Sequence, residues 1–263
     1  MGIMSVVTVC YNAEKEIEKT IQSVFELEGC YEYIIKDGNS SDRTNLIVDS
    51  YKKKFEKEGK KIIHIIEKDE GIYDAMNKSI AFCKGDWIIF MNAGDCFFLS
   101  KLPDLSNFMS CGVVYGDSQW RLADGAKYIY QNFHEGLRQG RGLNTQACFF
   151  NRKIFEKNVF DTKYKILGDY EFYLKLLRDN ISFKKLNQII VSYDLGGVST
   201  VCHYTKTKEF RQISREFNLP CKQKKIGLLK TIILKIKEVL SIHFLVISNY
   251  IICFKEIKNT KKF

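Results

Sequence analysis

The sequence lacks closely spaced cysteine pairs. Its nine cysteines are scattered, with no C-x-x-C spacing and no clustering of the kind that holds a metal. Structural zinc sites usually draw thiolates from such pairs, so the pattern argues against zinc. Scattered cysteines of this kind are typical of small buried hydrophobic residues in a reducing compartment.

Glycine-rich phosphate-binding signatures are also absent. Neither G-x-G-x-x-G nor G-x-x-x-x-G-K-[ST] occurs in the sequence. These motifs bind phosphate through backbone N–H groups at a helix N-terminus. If the protein binds a nucleotide, the charge of the phosphates therefore needs another partner, such as a metal ion.

The N-terminus carries no targeting signal that we recognise. The first residues, MGIMSVVTVCYNAE, have no basic region and only a short apolar run, and the myristoylation pattern fails at Val6. We therefore expect a cytosolic chain that starts directly on a strand.

Positive charge is confined to the C-terminal part. Residues 1–203 contain 27 Lys and Arg and 27 Asp and Glu, whereas residues 204–263 contain 14 against 4, which accounts for the net charge of +10. Nucleic-acid-binding proteins more often carry a basic face on a recognisable folded module, and we find no such module. Nucleic acid is therefore not an expected partner.

The 263 residues, 45% of them hydrophobic, are enough for one sizeable α/β core. Apolar periodicity predicts four strands that alternate with three helices. The strands are SVVTVC, YEYIIK, KIIHIIE and DWIIFM, and the helices are EKEIEKTIQSVFEL (with Asn12 as its cap), residues 42–58 and IYDAMNKSIAF. This order predicts a mostly parallel sheet with helices on both faces.

An acid or an amide follows each predicted strand. These residues are Asn12, Asp37, Asp69, and Asn92 with Asp95. A single polar residue at a strand end is usually a turn residue. Because ligands of parallel sheets bind beyond the carboxyl ends of the strands, four such ends together favour a shared ligand site.

Four motifs in this order resemble glycosyltransferase family 2. They are VVTVCYNAEKEIEKTIQSV, IIKDGNSSDRT, DEGIYDAMNKSIAFCKGDWIIFMNAGD and LGDYEFYLKL, within about residues 4–200. The resemblance implies a GT-A fold: a mostly parallel central sheet flanked by helices. It also implies inverting transfer of a hexosyl or N-acetylhexosaminyl group from a nucleotide-sugar, expected to be UDP-linked, as in bacterial surface-polysaccharide enzymes.

The resemblance also implies which residues bind the donor. Tyr11 would stack on uracil, although it could equally be a core tyrosine. Asp37 would accept a hydrogen bond from the pyrimidine ring. Asp74 and Asn77, three residues apart on one helix face, would contact the nucleotide sugar or else form an exposed polar face. The remaining implied contacts are Asn12, Asp69 and Gly71.

The segment NAGD resembles the metal-binding D-x-D element of the family. Asp95 would hold Mg²⁺ or Mn²⁺, which needs only one or two protein carboxylates beside phosphate oxygens. Many members have an acid where Gly94 stands, and Asn92 would take part of that role. His203 is a further candidate ligand, although a lone histidine is more often structural.

The acceptor half is expected over residues 101–203. The resemblance implies that Gln146 contacts a sugar and that Asp169 is the catalytic base, with Glu171 as the fallback. A helix N-terminus lowers the pKa of a carboxylate, and Gly168 would leave room for an acceptor. Asp169 could instead be only a helix N-cap.

Residues 204–263 are expected to form a basic amphipathic helical tail behind the domain of residues 1–203, whose nucleotide half is residues 1–100. Apolar residues recur at helical spacing from Ile226 to Leu240, and the apolar run that follows is too short to span a bilayer. The tail would lie on the cytoplasmic face of the inner membrane, near a glycan or lipid-linked acceptor. Packing on the domain and dimerisation are alternatives.

Two other functions fit parts of the sequence. A sugar nucleotidyltransferase has a related sheet and metal-binding acids, but it normally has a first loop rich in glycine with an arginine, which VCYNAEKE lacks. A non-catalytic nucleotide-sugar-binding or membrane scaffold protein would keep the pocket without the chemistry, and Gly94 keeps this alternative open.

Overall fold

The structure is a computed structural model that describes residues 4–29, 31–122, 125–194 and 202–220. The chain divides into two compact units, Met1–Leu195 and Gly196–Phe263. The predicted boundary at residue 203 stays a prediction. All of the residues discussed below except His203 and the tail belong to the first unit.

The first half of the sheet is parallel, as predicted. Strand β2 pairs with β1 and with β3, and β1 also pairs with β4, all in parallel register. Their bounds are β1 Met4–Cys10, β2 Tyr31–Asp37, β3 Ile62–Ile66 and β4 Trp87–Phe90. All seven residues of β1 are buried, which explains its continuous apolar sequence.

The second half makes the whole sheet mixed. Strand order in the nine-stranded sheet is β3-β2-β1-β4-β8-β6-β9-β5, with β7 on β6. Strands β5 Cys96–Phe97, β6 Val113–Arg121, β7 Lys127–Tyr130, β8 Cys148–Asn151 and β9 Phe183–Asp194 complete it. Strands β6 and β7 pair in antiparallel register and form a hairpin. Only β6 and β9 pair in parallel in this half.

Four helices of the first unit follow the predicted order. They are α1 Ile17–Phe25, α2 Thr44–Lys57, α3 Ile72–Ile80 and α4 Gly168–Arg178. In α1, Ile17, Ile21 and Val24 are buried at the spacing that predicted the helix. The predicted Asn12 cap is wrong, because α1 begins at Ile17 behind Glu16 and Asn12 lies in a left-handed turn with φ of 49°.

In the second unit, the described residues form helix α5, His203–Glu216. Most of the tail predicted to be amphipathic, residues 221–263, lies outside the described part. Among the described residues, no helix is long and apolar enough to cross a membrane.

Candidate active site

The carboxyl ends of the parallel strands meet at one edge of the sheet. Cys10 pairs with Asp37, and the Gly38 amide donates to the Cys10 carbonyl at 2.9 Å. The Glu67 amide donates to the Asp37 carbonyl at 3.0 Å. Three of the predicted polar exits therefore lie side by side, as the parallel register requires.

Tyr11 and Asp69 flank Gly38. A Cβ atom on Gly38 would lie 2.8 Å from Asp69 Oδ2 and 3.2 Å from Tyr11 Cδ2, so only glycine lets both side chains approach. Tyr11 is 63% exposed and is therefore not a core tyrosine. An exposed ring beside a carboxylate is an arrangement that suits a planar base with N–H donors.

A buried lysine holds together the corner of the sheet formed by Tyr11, Gly38 and Asp69. No sequence motif identified this lysine. Lys36 has no exposed surface, and its Nζ lies 3.3 Å from Asp69 Oδ2. The same ammonium donates to the Asp37 carbonyl at 3.0 Å and to the Glu67 carbonyl. A buried charge is stable only when paired and hydrogen-bonded, so Lys36 fixes Asp69 in place. In the sequence, the signal for Lys36 was its position at the end of a buried strand.

Asp37 is buried in this structure and its carboxylate is used within the chain. It has no exposed surface, and its carboxylate accepts from the Ser40 amide and the Ser40 hydroxyl, each at 2.6 Å. Asn12 Oδ1 similarly accepts from the Ser41 amide at 2.9 Å. Both side chains shape the loop after β2, and their contacts with the nucleotide-sugar stay predictions.

Gly71 lies beside open space at the start of α3. A Cβ there would meet nothing within 4 Å, and its φ of 122° favours glycine. Asp74 faces back into the chain, because it accepts from the Glu70 amide at 2.9 Å and lies 3.4 Å from the Lys78 ammonium. It therefore orients the Gly71 loop.

Asn77 joins α3 to residue 160 through both ends of its amide. Its Nδ2 donates to the Phe160 carbonyl at 2.8 Å, and its Oδ1 accepts from the Phe160 amide at 3.0 Å. The predicted helix is confirmed, and the contact of Asn77 with the nucleotide sugar stays a prediction.

The turn that carries Asp95 is fixed by a buried threonine of α1. Thr20 Oγ1 donates to the Asp95 carbonyl at 2.8 Å and accepts from the Gly94 amide at 2.9 Å. Gly94 has a φ of 100°, a conformation that costs an acidic residue backbone strain. The missing family acid is thus accounted for by the shape of this turn.

Oxygen ligands suitable for a hard divalent ion are present in the same turn. Asp95 is half-buried, and Asn92 Oδ1 is buried without a hydrogen-bond partner. Among the described residues, no group of three or more His, Cys, Asp or Glu is placed to hold a metal. One carboxylate with an orphaned amide oxygen fits Mg²⁺ or Mn²⁺, provided that phosphate oxygens and water complete the shell.

His203 cannot be added to this set. It begins α5 in the second unit, and the position of its side chain lies outside the described part of the chain. Its metal role stays a prediction.

Three elements converge on the Asp169 carboxylate. Oδ2 accepts from the Thr145 hydroxyl at 2.9 Å, while Oδ1 accepts from the Tyr73 hydroxyl at 3.1 Å and the Tyr170 amide at 2.8 Å. Tyr73 lies on α3, and Thr145 lies in a short 3-10 helix before β8. Neither donor was identified from the sequence, because each contacts Asp169 only through the fold.

Two details of the predicted base are wrong. Burial raises the pKa of Asp169 above its usual value, although the hydrogen bonds from Thr145, Tyr170 and Tyr73 oppose the rise. Gly168 leaves no room for an acceptor, since a Cβ there would lie 2.7 Å from the Tyr73 ring. Glycine is instead needed for the close approach of α3 and α4.

Glu171, the predicted fallback base, lies on another side of α4. Residues two apart do not share a helix face. Glu171 is 2% exposed and pairs with Lys175 at 3.2 Å. Its role as fallback base stays a prediction.

Strand β9, which carries Tyr193, pairs with β5 just after the Asp95 turn and packs against the 3-10 helix of Thr145. Burial raises the pKa of Tyr193, the Asp95 charge adds to the rise, and a hydrogen bond with Asn144 opposes it. Asn144 precedes Thr145 and accepts from the Gln146 amide at 3.0 Å. Gln146 therefore lies on the same short segment as Thr145, at the edge where a sugar contact was predicted.

Solved structures share this architecture. S. aureus TarS in complex with UDP-GlcNAc superposes with a TM-score of 0.63 at 16% identity, over 87% of this chain and 69% of that chain. Mannosyltransferase PcManGT from Pyrobaculum calidifontis, in complex with GDP-Man and Mn²⁺, gives 0.59 at 14% identity, over 82% and 68%. The fold is therefore GT-A, as the sequence resemblance implied.

The sequence match is more specific than the fold. The model of glycosyl transferase family 2 matches residues 5–182, and the chain belongs to this family. The protein is therefore a glycosyltransferase. The family assignment favours glycosyl transfer over the alternative of nucleotidyl transfer.

Two similar proteins carry names that refer to different biosynthetic products. A PGL/p-HBAD biosynthesis glycosyltransferase of Mycobacterium tuberculosis is 26% identical over 186 residues, covering 65% of this chain and 68% of the relative. A putative teichuronic acid biosynthesis glycosyltransferase of Bacillus subtilis is 31% identical over 137 residues, covering 49% and 52%.

We expect Thr145→Val to raise the pKa of Asp169 further. The lost hydroxyl stabilised the ionised carboxylate, and its removal favours the protonated form. The measurement is a carboxyl-carbon NMR titration in which Asp169→Asn identifies the resonance. Thr145→Ser keeps the hydroxyl and should leave the titration close to that of the parent protein; equal titrations of the Val and Ser variants would contradict the assignment.

Proposed function

We propose that the protein is an inverting, metal-dependent glycosyltransferase that moves a hexosyl or N-acetylhexosaminyl group from a UDP-sugar to a growing glycan in surface-polysaccharide synthesis. The observation that carries the proposal is the Asp169 carboxylate, on which three elements converge, in a chain of glycosyl transferase family 2. The UDP and UDP-GlcNAc complexes of TarS support the choice of donor.

Asp169 is the proposed general base. The acceptor hydroxyl loses its proton to this carboxylate while its oxygen forms the new bond to the anomeric carbon. The bond from that carbon to the diphosphate oxygen breaks, and the electron pair leaves with the nucleoside diphosphate. A carboxylate whose pKa is raised is a stronger base than an exposed one, and Thr145 and Tyr73 keep it ionised and oriented.

Asp169→Asn is the direct test of this role. The amide oxygen still accepts one of the two hydroxyl hydrogen bonds and the NH2 group can donate to the other hydroxyl oxygen, but the amide cannot take the proton. Transfer should fall by roughly 10² or more, while nucleotide affinity and thermal stability change little. Radiolabelled sugar transfer, isothermal titration with UDP and thermal melting separate these effects. Near-normal turnover would show that Asp169 is only structural, and absence of transfer by the parent protein would favour a non-catalytic binding protein.

The Asp95 turn is the proposed metal site. Asp95 and the orphaned Asn92 amide oxygen would hold the ion, and Thr20 keeps their turn in shape. A divalent ion bound there would neutralise the diphosphate charge and stabilise its departure. The Mn²⁺ complex of PcManGT supports this use of the fold.

Asp95→Ala should abolish the part of UDP affinity that depends on Mn²⁺. The removed carboxylate is the charged ligand, whereas the turn itself is held by backbone groups and Thr20. Titration calorimetry with UDP, with and without EDTA, measures the effect. Asp104→Ala, at a distant exposed turn, is the matched control. An equal response of parent and Asp95→Ala to EDTA would refute the assignment.

We infer that the basic tail binds the cytoplasmic face of the membrane, where a lipid-linked acceptor would lie. The support is the excess of 14 Lys and Arg over 4 Asp and Glu in residues 204–263. Each basic residue near an anionic surface contributes about 1 kcal/mol, so several together give salt-sensitive association.

Removal of residues 222–263 should release the protein from anionic vesicles. Sedimentation with phosphatidylglycerol vesicles at low and high salt measures the binding, and phosphatidylcholine vesicles are the control for charge. Full-length protein should pellet only at low salt. If the shortened and full chains bind equally, the tail is not the membrane contact, and a change in molar mass on truncation would indicate dimerisation instead.

A further inference from the structure

Four aromatic residues line one face of the second half of the sheet. Trp120 pairs with Tyr128 across β6 and β7, and with Tyr193 across β6 and β9. Tyr130 stacks on Trp120 with ring centroids 4.4 Å apart and planes at 14°. We call the surface formed by Trp120, Tyr128, Tyr130 and Tyr193 the aromatic ledge.

The ledge begins at the candidate metal site. Strands β5 and β9 pair Cys96 with Ser192, and Asp95 and Tyr193 are the chain neighbours of this pair. Paired residues share a face of a sheet. A row therefore runs across three strands from Tyr193 through Trp120 to Tyr128, over roughly 10 Å at the usual strand spacing.

The ledge also borders the base. Strand β9, which carries Tyr193, packs against the 3-10 helix that begins at Thr145, and the Thr145 hydroxyl donates to Asp169 at 2.9 Å. The ledge starts between Asp95 and Asp169 and leads away from the nucleotide corner at Tyr11. It therefore lies on the side from which an acceptor would enter. This inference rests on the proposed function.

The exposure of the ledge increases away from the site. Tyr193, Trp120 and Tyr130 are half-buried, whereas Tyr128 is 58% exposed. Packing of the fold does not require an exposed tyrosine there. Aromatic rings offer flat apolar faces, and tyrosines add hydroxyl groups for hydrogen bonding. That combination matches a sugar ring, which has an apolar face and a polar rim.

We propose that the aromatic ledge binds the glycan chain of the acceptor, with the reacting end near Tyr193 and sugars further from the reaction against Trp120 and Tyr128. The ledge would then determine how well a chain of sugars, rather than a single sugar, serves as acceptor.

The test compares Tyr128→Ala with Ile129→Ala. Ile129 is 49% exposed on the same strand, but its partner is Gln119, on the opposite face. Binding of the full-length parent and both variants to an array of bacterial cell-envelope oligosaccharides is measured with UDP and Mn²⁺ present. We expect Tyr128→Ala to weaken binding about fivefold, as loss of one aromatic contact would, and Ile129→Ala to leave it unchanged.

A second readout reports contact with the ledge directly. The chain has two tryptophans, and Trp87 is buried in β4 at 3% exposure, so a fluorescence change on adding a bound glycan is expected from Trp120. Failure of the parent to bind any glycan, equal loss in both variants, or an altered oligomeric state in Tyr128→Ala would overturn the proposal. Hydrolysis of UDP-N-acetylglucosamine is measured in the same samples. Because loss of the ledge leaves hydrolysis intact, this measurement distinguishes failure of the ledge proposal from failure of the proposed function.

Discussion

The arrangement of the site depends on the hydrogen bonds to the Asp169 carboxylate. A partly buried carboxylate needs hydrogen-bond donors, and here they come from α3, from the segment before β8 and from α4 itself. Satisfying one side chain therefore fixes the relative positions of three elements. Gly168 allows this by letting the Tyr73 ring lie directly against α4. The same hydrogen bonds therefore hold the Asp169 carboxylate in place and pack α3, α4 and the segment before β8 together.

The nucleotide corner uses a second buried charge in a similar way. Lys36 pairs with Asp69 and also satisfies the Asp37 and Glu67 carbonyls, so it joins the ends of β2 and β3. Removing one member of such a group leaves an uncompensated buried charge. The resulting loss of folding free energy is far larger than the stabilisation that the ion pair contributes. Asp37 and Asn12 complete the corner by shaping the loop around Ser40 and Ser41. Tyr11 is left as the exposed ring.

The two halves of the sheet have different tasks. The parallel half places turns at one edge, because parallel strands all end on the same side. The mixed half extends the surface sideways from that edge, and its pairing determines which side chains share a face. Tyr193 lies in β9, which pairs with β5 just after the Asp95 turn and packs against the 3-10 helix of Thr145. The aromatic ledge is a consequence of this register.

The sequence by itself determined the order of elements in the first half, the polar strand ends, the start of α4 and the confinement of charge to residues 204–263, because periodicity and composition are local properties. Tertiary structure decided which polar residues are available. Asp37 is buried against Ser40, and Asn77 is used by Phe160, a partner 83 positions away. The donors to Asp169 lie 24 and 96 positions from it. Desolvation and hydrogen bonding depend on contacts between residues distant in the chain, and no local pattern records them.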